Sequence, residues 1–308
     1  MISVCIPIHD YYVYPLVRRL ANEVEKLNSG QVEIVCIDDH SAAHYLTQNK
    51  GIADIADYYL LGKNIGRARI RNLFLKYTKG DYLLFLDCDS EVPQFFLKNY
   101  LKCINREQPQ VVVGGRTYDK RGQDSEHYLR YLYGSKTEGR TAEKRRQHPY
   151  QSFMTNNFMV RREVLEKVRF DERLVKYGHE DTLFGYRLQQ QGIPITHIDN
   201  QVVNGHIEGN AEFLHKSVEA VENLALIYGT MWEDQSFCQS VRLLRAYGKV
   251  RRWKLQGAVY WLFKLLKNPL EEHFVRGTGI SIAQFNFYKL GLFIKNINYP
   301  KPTEDTDL

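Results

Sequence analysis

The 308-residue sequence is poor in cysteine, and none of the five, Cys5, Cys36, Cys88, Cys103 and Cys238, stands in a C-x-x-C pair. That spacing argues against a zinc site. An odd set, two of them inside apolar strand-like runs, reads as reduced, buried thiols rather than a disulfide framework. Long hydrophobic runs are missing as well: the longest, residues 255–266, contains Gln256 and Lys264 and falls short of the roughly 20 residues that a membrane span needs. The chain is therefore expected not to cross a bilayer. Its apolar start, residues 2–6, is cut off by Pro7, His9 and Asp10 with no basic segment ahead of it, which predicts a strand rather than a signal peptide. The expected setting is cytoplasmic, with peripheral attachment to the inner face of a membrane left open. No G-x-G-x-x-G follows the first strand, so a dinucleotide fingerprint is lacking, and there is no internal repeat.

What is present suits a globular protein. With 44% hydrophobic and 13% aromatic residues, the chain can bury a sizeable core and fill one large domain or somewhat more. A formal charge of +6 favours anions without choosing among nucleotide phosphates, acidic lipid and nucleic acid. Strand-like runs at residues 2–8, 32–38, 58–61, 81–87 and 110–115 alternate with helix-like segments at 15–27, 67–77 and 93–105. That order predicts an α/β fold, a mostly parallel sheet flanked by helices. Residues 117–151, dense in Arg, Lys, Glu, Gln and Gly, break the pattern and read as a mobile excursion over the sheet edge, either a substrate loop or a solvated insertion. Strand and helix resume at 153–160 and 162–168, and a helix at 180–191 is stopped by Gly192 and Pro194. After a strand-like 195–203, the chain looks entirely helical, at 211–228, 236–247, 251–266 and 282–297. We therefore expect a domain of residues 1–210 and a helical region of 211–308, its polar, acidic end (300–308) frayed.

Chemistry-bearing residues fall at the ends of these segments. Asp87-Cys88-Asp89 closes the apolar run 82–86. Two hard oxygen donors at the carboxyl end of a strand suit Mg²⁺ or Mn²⁺, although Asp and Ser also form plain turns. Asp38-Asp39-His40-Ser41 ends the second strand and can hydrogen-bond a base or ribose, or simply make an Asx turn. In Asn64-Ile65-Gly66-Arg67-Ala68-Arg69-Ile70-Arg71-Asn72, Arg67 and Arg71 share a helix face and could meet one anion; the alternative is a solvated face with Asn64 and Gly66 as caps. Glu180 and Asp181 open a helix, where acids are expected from the macrodipole alone. Being adjacent, they point about 100° apart, so one can face a substrate while the other is held. An ionised carboxylate there could accept a proton from a hydroxyl. His206, in Asn204-Gly205-His206, is either structural or a further Mn²⁺ ligand.

Taken in order, Pro7 at a strand end, Asp38-Asp39-x-Ser41, Asn64-x-Gly66 leading to Arg71-Asn72, Asp87-x-Asp89, Asn157-x3-Arg161-Arg162-Glu163, Phe170-Asp171-Glu172, Gly178-x-Glu180-Asp181 and His206 resemble the family 2 glycosyltransferases of the GT-A fold. The resemblance covers residues 1 to about 208. It implies a Rossmann-like sheet and inverting transfer of a sugar from a nucleotide diphosphate donor, most often a UDP-sugar, to a glycan or lipid-linked acceptor. By that resemblance Pro7, Ile8, His9, Asp39, Asn64 and Arg71 hold the nucleotide and Asp38 supports their loop. Asp87, Cys88 and Asn157 complete the donor site. Asp89, with Asp87 and His206, binds Mn²⁺ or Mg²⁺; Asp181 is the base, and Glu180 positions the acceptor. Two departures stand out. His9-Asp10 replaces the family's usual aromatic-Asn pair after the first strand, and the QxxRW signature of processive polymer synthases is missing, so one sugar is expected per encounter.

The helical region sets Lys249, Arg251, Arg252, Lys254, Lys264 and Lys267 among Trp253, Tyr260, Trp261 and Leu262. Such helices either pack on the protein or a second subunit, which one-faced amphipathicity favours, or lie on an anionic membrane. Two other functions stay open: a nucleic-acid-binding protein, suggested by Arg69, Arg71, Arg145 and Arg146, and a catalytically silent sugar-binding relative. The acidic motifs speak against the first, the intact Asp89 and Asp181 against the second.

Overall fold

Short apolar runs that can be buried on both faces become parallel strands when helices cover them. In the computed structural model, which describes residues 1–27, 30–119 and 123–298, β1 (Ile2–Ile8) leads through α1 (Tyr14–Leu27) to β2 (Val32–Asp38), α2 (Ala43–Asn49) and β3 (Asp57–Leu60). Next come α3 (Arg67–Tyr77), β4 (Tyr82–Leu86), a two-residue β5 (Ser90–Glu91), α4 (Phe96–Glu107), β6 (Val111–Val113) and β7 (Arg116–Thr117). They are followed by α5 (Tyr128–Tyr133), α6 (Ala142–Arg146), β8 (Asn157–Arg161), α7 (Arg162–Lys167), α8 (Glu180–Gln190), β9 (Ile195–His197) and β10 (Val202–Asn204). The chain finishes with α9 (Asn210–Met231), α10 (Gln235–Ser240), α11 (Arg242–Arg252), α12 (Gln256–Arg276) and α13 (Ile282–Asn298).

Two units result. The first takes Met1–Lys120, Gly134–Val175 and Glu180–Ile207. Its main sheet has the order β3-β2-β1-β4-β8-β6-β9, with every strand parallel except β8, as the alternating pattern predicts. Side chains along β1 alternate between two cores: Val4 and Ile6 join Leu20 and Phe96, whereas Cys5 joins Phe74 and Phe85. All five cysteines are free. Pro7 lies beyond the last register pair of β1 with β4, Cys5↔Phe85, so its missing N–H marks where these strands part and breaks no ladder between them. A second sheet, β5-β10-β7, arises because the strand-like segment 195–203 splits into β9 and β10, which serve different sheets.

The excursion expected at 117–151 is structured where it is described. Arg145, 1% exposed, donates to the carbonyls of Gly114 (3.0 Å) and Ile198 (2.6 Å), to that of Arg140, and to Nδ1 of His197 (3.2 Å). Burial pushes the His197 imidazole down to about 4, with the Arg145 and Arg146 charges adding to the effect, so the neutral ring accepts from Arg145. Gly115, at φ +85°, must be glycine, since a Cβ there would strike the Arg145 guanidinium.

The second unit is helical and draws on three stretches of chain, Arg121–Tyr133, Lys176–His179 and Glu208–Leu308. The first two lie inside what the sequence assigns to residues 1–210. Aromatic pairs fill its interior: Phe263 against Tyr288 (5.8 Å), Phe274 against Phe285 (5.5 Å) and Tyr133 against Phe213 (5.6 Å). Glu208 bridges Arg130 (3.0 Å) and Lys216 (3.2 Å). Burial alone would raise its carboxyl, but the two cations hold it down at about 2. Asn223 on α9 donates to the carbonyls of Lys176 and Gly178, at 2.8 and 3.0 Å. Helix bounds differ from the sequence reading: α10 and α11 are separated at an extended Val241, α11 continues across the expected gap to Arg252, and α12 starts only at Gln256 and runs past residue 266, through Pro269, to Arg276. Packing accounts for one side of α12 only, because Trp261 and Leu265 are 66% and 62% exposed. Among the described residues no helix is long and apolar enough to cross a membrane. The expectation for 300–308 falls outside the described residues.

Candidate active site

Because β1, β2 and β4 run parallel, their carboxyl ends open on one edge, and the loops after them meet there. The loop after β2 is tied down by its own acids. Asp38, fully buried, accepts from Ser41 N (2.7 Å) and from the Tyr58 hydroxyl (3.2 Å). Asp39, nearly as buried, accepts from Ile65 N (2.7 Å) and Gly66 N (3.0 Å), fastening the approach to α3. Both acids thus brace loops. His9 stands over them: Nδ1 donates to the Asp39 carbonyl (3.0 Å), which leaves Nε2 to accept from the Asn64 carboxamide (3.3 Å). Ile8 departs from its expected role as a ligand contact; its side chain belongs to the core and its carbonyl accepts from Asp39 N.

Arg71 is likewise committed inside the protein. Only 2% exposed, it donates to the Arg67 carbonyl (3.2 Å) and to Asp87 Oδ1 (3.1 Å), and lies 3.7 Å from Glu180 Oε1. It joins Asp87 to Glu180 from below instead of reaching out alongside Arg67. Asn157 is also withdrawn: its Oδ1 accepts from the Tyr100 hydroxyl (2.6 Å), while Nδ2 donates to the carbonyls of Gly115 and Asn200 (2.8 and 2.9 Å). With every polar atom used and no exposed surface, Asn157 braces the sheet edge and has nothing to offer a ligand.

The acidic turn itself remains at the opening. Asp87 keeps 24% of its side chain exposed. Burial, reinforced by the neighbouring acids Asp89 and Asp87, pushes the Cys88 thiol far up, so it stays protonated. The small sheet delivers His206 to this turn: Asn204 pairs with Ser90, and Gly205 N donates to the Asp89 carbonyl at 2.8 Å. A side chain at 205 would put its Cβ 2.8 Å from that carbonyl oxygen and 3.2 Å from Glu91 Cγ. Tyr11, which sequence reasoning passed over, packs edge-on to His206 with centroids 6.3 Å apart. Burial, together with Asp89, Cys88 and Glu91, raises its hydroxyl to about 12. Two further carboxamides flank the turn, Asn156, whose backbone carbonyl accepts from Asp87 N, and Asn204. Among the described residues neither buried side chain has a hydrogen-bond partner, which is costly; the doublet Asn156-Asn157 was the only sequence signal for the first.

Asp87, Asp89 and His206 thus share one edge. Among the described residues no three His, Cys, Asp or Glu side chains converge as a ready ligand set. Two hard carboxylates with an imidazole nearby nonetheless suit Mn²⁺ or Mg²⁺ when donor phosphates supply the remaining oxygens.

At the head of α8 the two acids have separate environments. Glu180 is buried and faces Arg71. Asp181 accepts from Thr182 N (2.6 Å) and Thr182 Oγ1 (3.3 Å). Its carboxyl is raised to about 7, first by burial and then by the Glu180 charge, against the opposing Thr182 hydrogen bonds. A helix N-terminus favours an ionised carboxylate, and at Asp181 desolvation opposes that preference.

The sequence profile of glycosyl transferase family 2 matches residues 3–169. A chondroitin synthase from Pasteurella multocida is 29% identical over 205 residues, 56% of this chain and 21% of that protein; the chain thus spans about a fifth of that relative's length. Among solved structures, a mannosyltransferase from Pyrobaculum calidifontis in complex with GDP-Man and Mn²⁺ superposes with a TM-score of 0.59 at 15% identity, over 97% of this chain and 87% of the other. The glucosyl-3-phosphoglycerate synthase from Mycobacterium tuberculosis, in complex with Mn²⁺, UDP and glucosyl-3-phosphoglycerate, gives 0.51 at 18% identity over 74% and 79%. Sheet order, acidic turn and matched profile agree: the chain belongs to glycosyl transferase family 2 and has the GT-A fold.

Proposed function

We propose that the chain transfers a sugar from a UDP-sugar to a hydroxyl of a glycan or lipid-linked acceptor, with inversion at the anomeric carbon. The observation that carries this reading is the sheet edge that gathers Asp87, Asp89 and His206 beside the head of α8, where Arg71 links Asp87 to Glu180 and burial raises the adjacent Asp181 carboxyl to about 7. A general base works best with a pKa close to the working pH. Glu180 is the poorer base because Arg71 already engages it; it holds the geometry of the α8 terminus. The acceptor proton passes to Asp181 as the hydroxyl oxygen bonds to the anomeric carbon. The carbon–oxygen bond to the diphosphate breaks, its electron pair leaving with the nucleotide, and this single displacement inverts the centre. Asp89, with Asp87 and His206 beside it, would hold a Mn²⁺ or Mg²⁺ ion, which would offset the charge of the leaving diphosphate. His9 and Asn64, on loops that Asp38 and Asp39 brace, border the base and ribose, together with the turn after Pro7.

Nucleic-acid binding is the weaker reading: of the arginines that suggested it, Arg71 and Arg145 are buried, while Arg69 and Arg146 stay exposed. The test is a pair of variants. Asp89→Ala is expected to abolish Mn²⁺-dependent binding of the UDP-sugar by calorimetry, whereas Asp181→Ala keeps binding and loses transfer. The reverse pattern would overturn both assignments.

A further inference from the structure

A helix that is apolar on two opposite sides needs something against each. Phe263 and Phe274 on α12 are eleven residues apart, hence on one stripe, and both are buried against α13. On the other side Trp261, Leu262, Leu265 and Leu266 are exposed, and Trp253 and Leu255, between α11 and α12, extend the patch at 75% and 50% exposure. The charge around it has one sign. Between Asp234 and Glu271 the sequence has eight Lys or Arg and no acid, more than the +6 of the whole chain, so the remaining residues are net acidic. Lys249, Arg251, Arg252, Lys254 and Lys264 are all exposed.

We propose that this face docks on an anionic lipid bilayer, its Trp and Leu side chains entering the headgroup boundary and its Lys and Arg meeting the lipid phosphates. The composition fits an interfacial helix, with tryptophan at the water boundary and cations around an apolar strip. The same charge opposes the other occupants. A second copy meeting it face to face would set these exposed cations against their own kind. Nucleic acid would use the cations but has no counterpart for a continuous leucine surface. The inference is independent of which sugar is transferred, or whether one is.

The test is flotation of the full chain with phosphatidylcholine vesicles, with and without about a third phosphatidylglycerol. Wild type should float with the anionic vesicles and shift its tryptophan emission to the blue. Each cation near an anionic surface is worth about fivefold in partition, so Lys254→Gln with Lys264→Gln should weaken binding about 25-fold. Trp261→Ser with Leu265→Ser should abolish the shift. Because all four side chains are exposed, both variants should keep the wild-type circular dichroism and melting temperature. The proposal fails if wild type floats no better with anionic than with neutral vesicles, or if the apolar pair of changes leaves flotation intact. It fails equally if light scattering shows a wild-type dimer that this pair of changes dissociates, or if RNA binds the same cations more tightly than the vesicles do.

Discussion

Replacing Asp181 with asparagine should stabilise the protein while stopping transfer, and the gain should depend on pH in a way that only a buried acid produces. Asparagine keeps an oxygen for the Thr182 N–H and hydroxyl and removes the charge. The carboxyl moves from an ordinary 3.8 to about 7 on folding, equivalent to about 4 kcal/mol at 1.36 kcal/mol per decade. The sign follows from proton uptake. The folded pKa is raised, so between pH 3.8 and 7 the native state holds a proton that the unfolded chain has released. The contribution of this carboxyl is therefore fully present below pH 3.8, falls as pH rises to 7, and then levels off. The advantage of the variant should be about 1.5 kcal/mol at pH 5 and about 4 kcal/mol at pH 8, a gain of roughly 10 °C in melting temperature at the higher pH for a unit of this size. Melting curves of both proteins at pH 5, 6 and 8 read it directly, and transfer should fall by about 10² to 10⁴ when the base is lost. A pH-independent difference, or a variant less stable than wild type at pH 8, would refute the argument that burial governs this carboxyl.

Gly205→Val should press on the Asp89 carbonyl and Glu91 and weaken Mn²⁺-dependent donor binding about 10- to 100-fold, as changes to residues that orient metal ligands do; unchanged calorimetric affinity would show that the small sheet does not set the acidic turn. Glu208→Gln removes the acid that Arg130 and Lys216 share, while Glu212 still lies 2.7 Å from Lys216. Since the folded carboxyl lies near 2 and the ordinary value is 4.5, its stabilisation is present above pH 4.5 and lost as pH falls through 2. Chemical denaturation should therefore show a loss of about 3 kcal/mol at pH 7, shrinking as pH approaches 2, and a constant difference across that range would contradict it.

The main sheet was legible because β1, β2 and β4 are largely apolar runs with acids at or just beyond their ends, and the family resemblance followed those ends. Other features depend on the folded chain. β5 and β7 are two residues each, too short for any periodicity, so the sheet that brings His206 to Asp89 left no trace in the pattern. Arg71 and Arg145 read as surface cations, since nothing in a sequence announces the carbonyls that Arg145 collects or the Asp87 and Glu180 side chains that meet Arg71. Asn157 illustrates the same limit: its type and spacing matched a ligand contact, but Tyr100, Gly115 and Asn200 use all its hydrogen-bonding capacity. For α12, the apolar residues were plain while the division between packed and exposed sides was not, because both sides are apolar.

The helical unit is not a tail. It takes in Arg121–Tyr133 and Lys176–His179 as well as Glu208–Leu308, so no single cut of the gene separates the two units. A chain truncated near residue 207 would keep Leu129, Arg130 and Tyr133 without Asn210, Glu208 and Phe213, and would present their apolar and charged groups to water. During synthesis, residues 121–133 leave the ribosome long before α9 and α13 exist to receive them. Chaperone demand and expression yield should therefore follow the integrity of the last hundred residues, even for activities that reside wholly at the sheet edge.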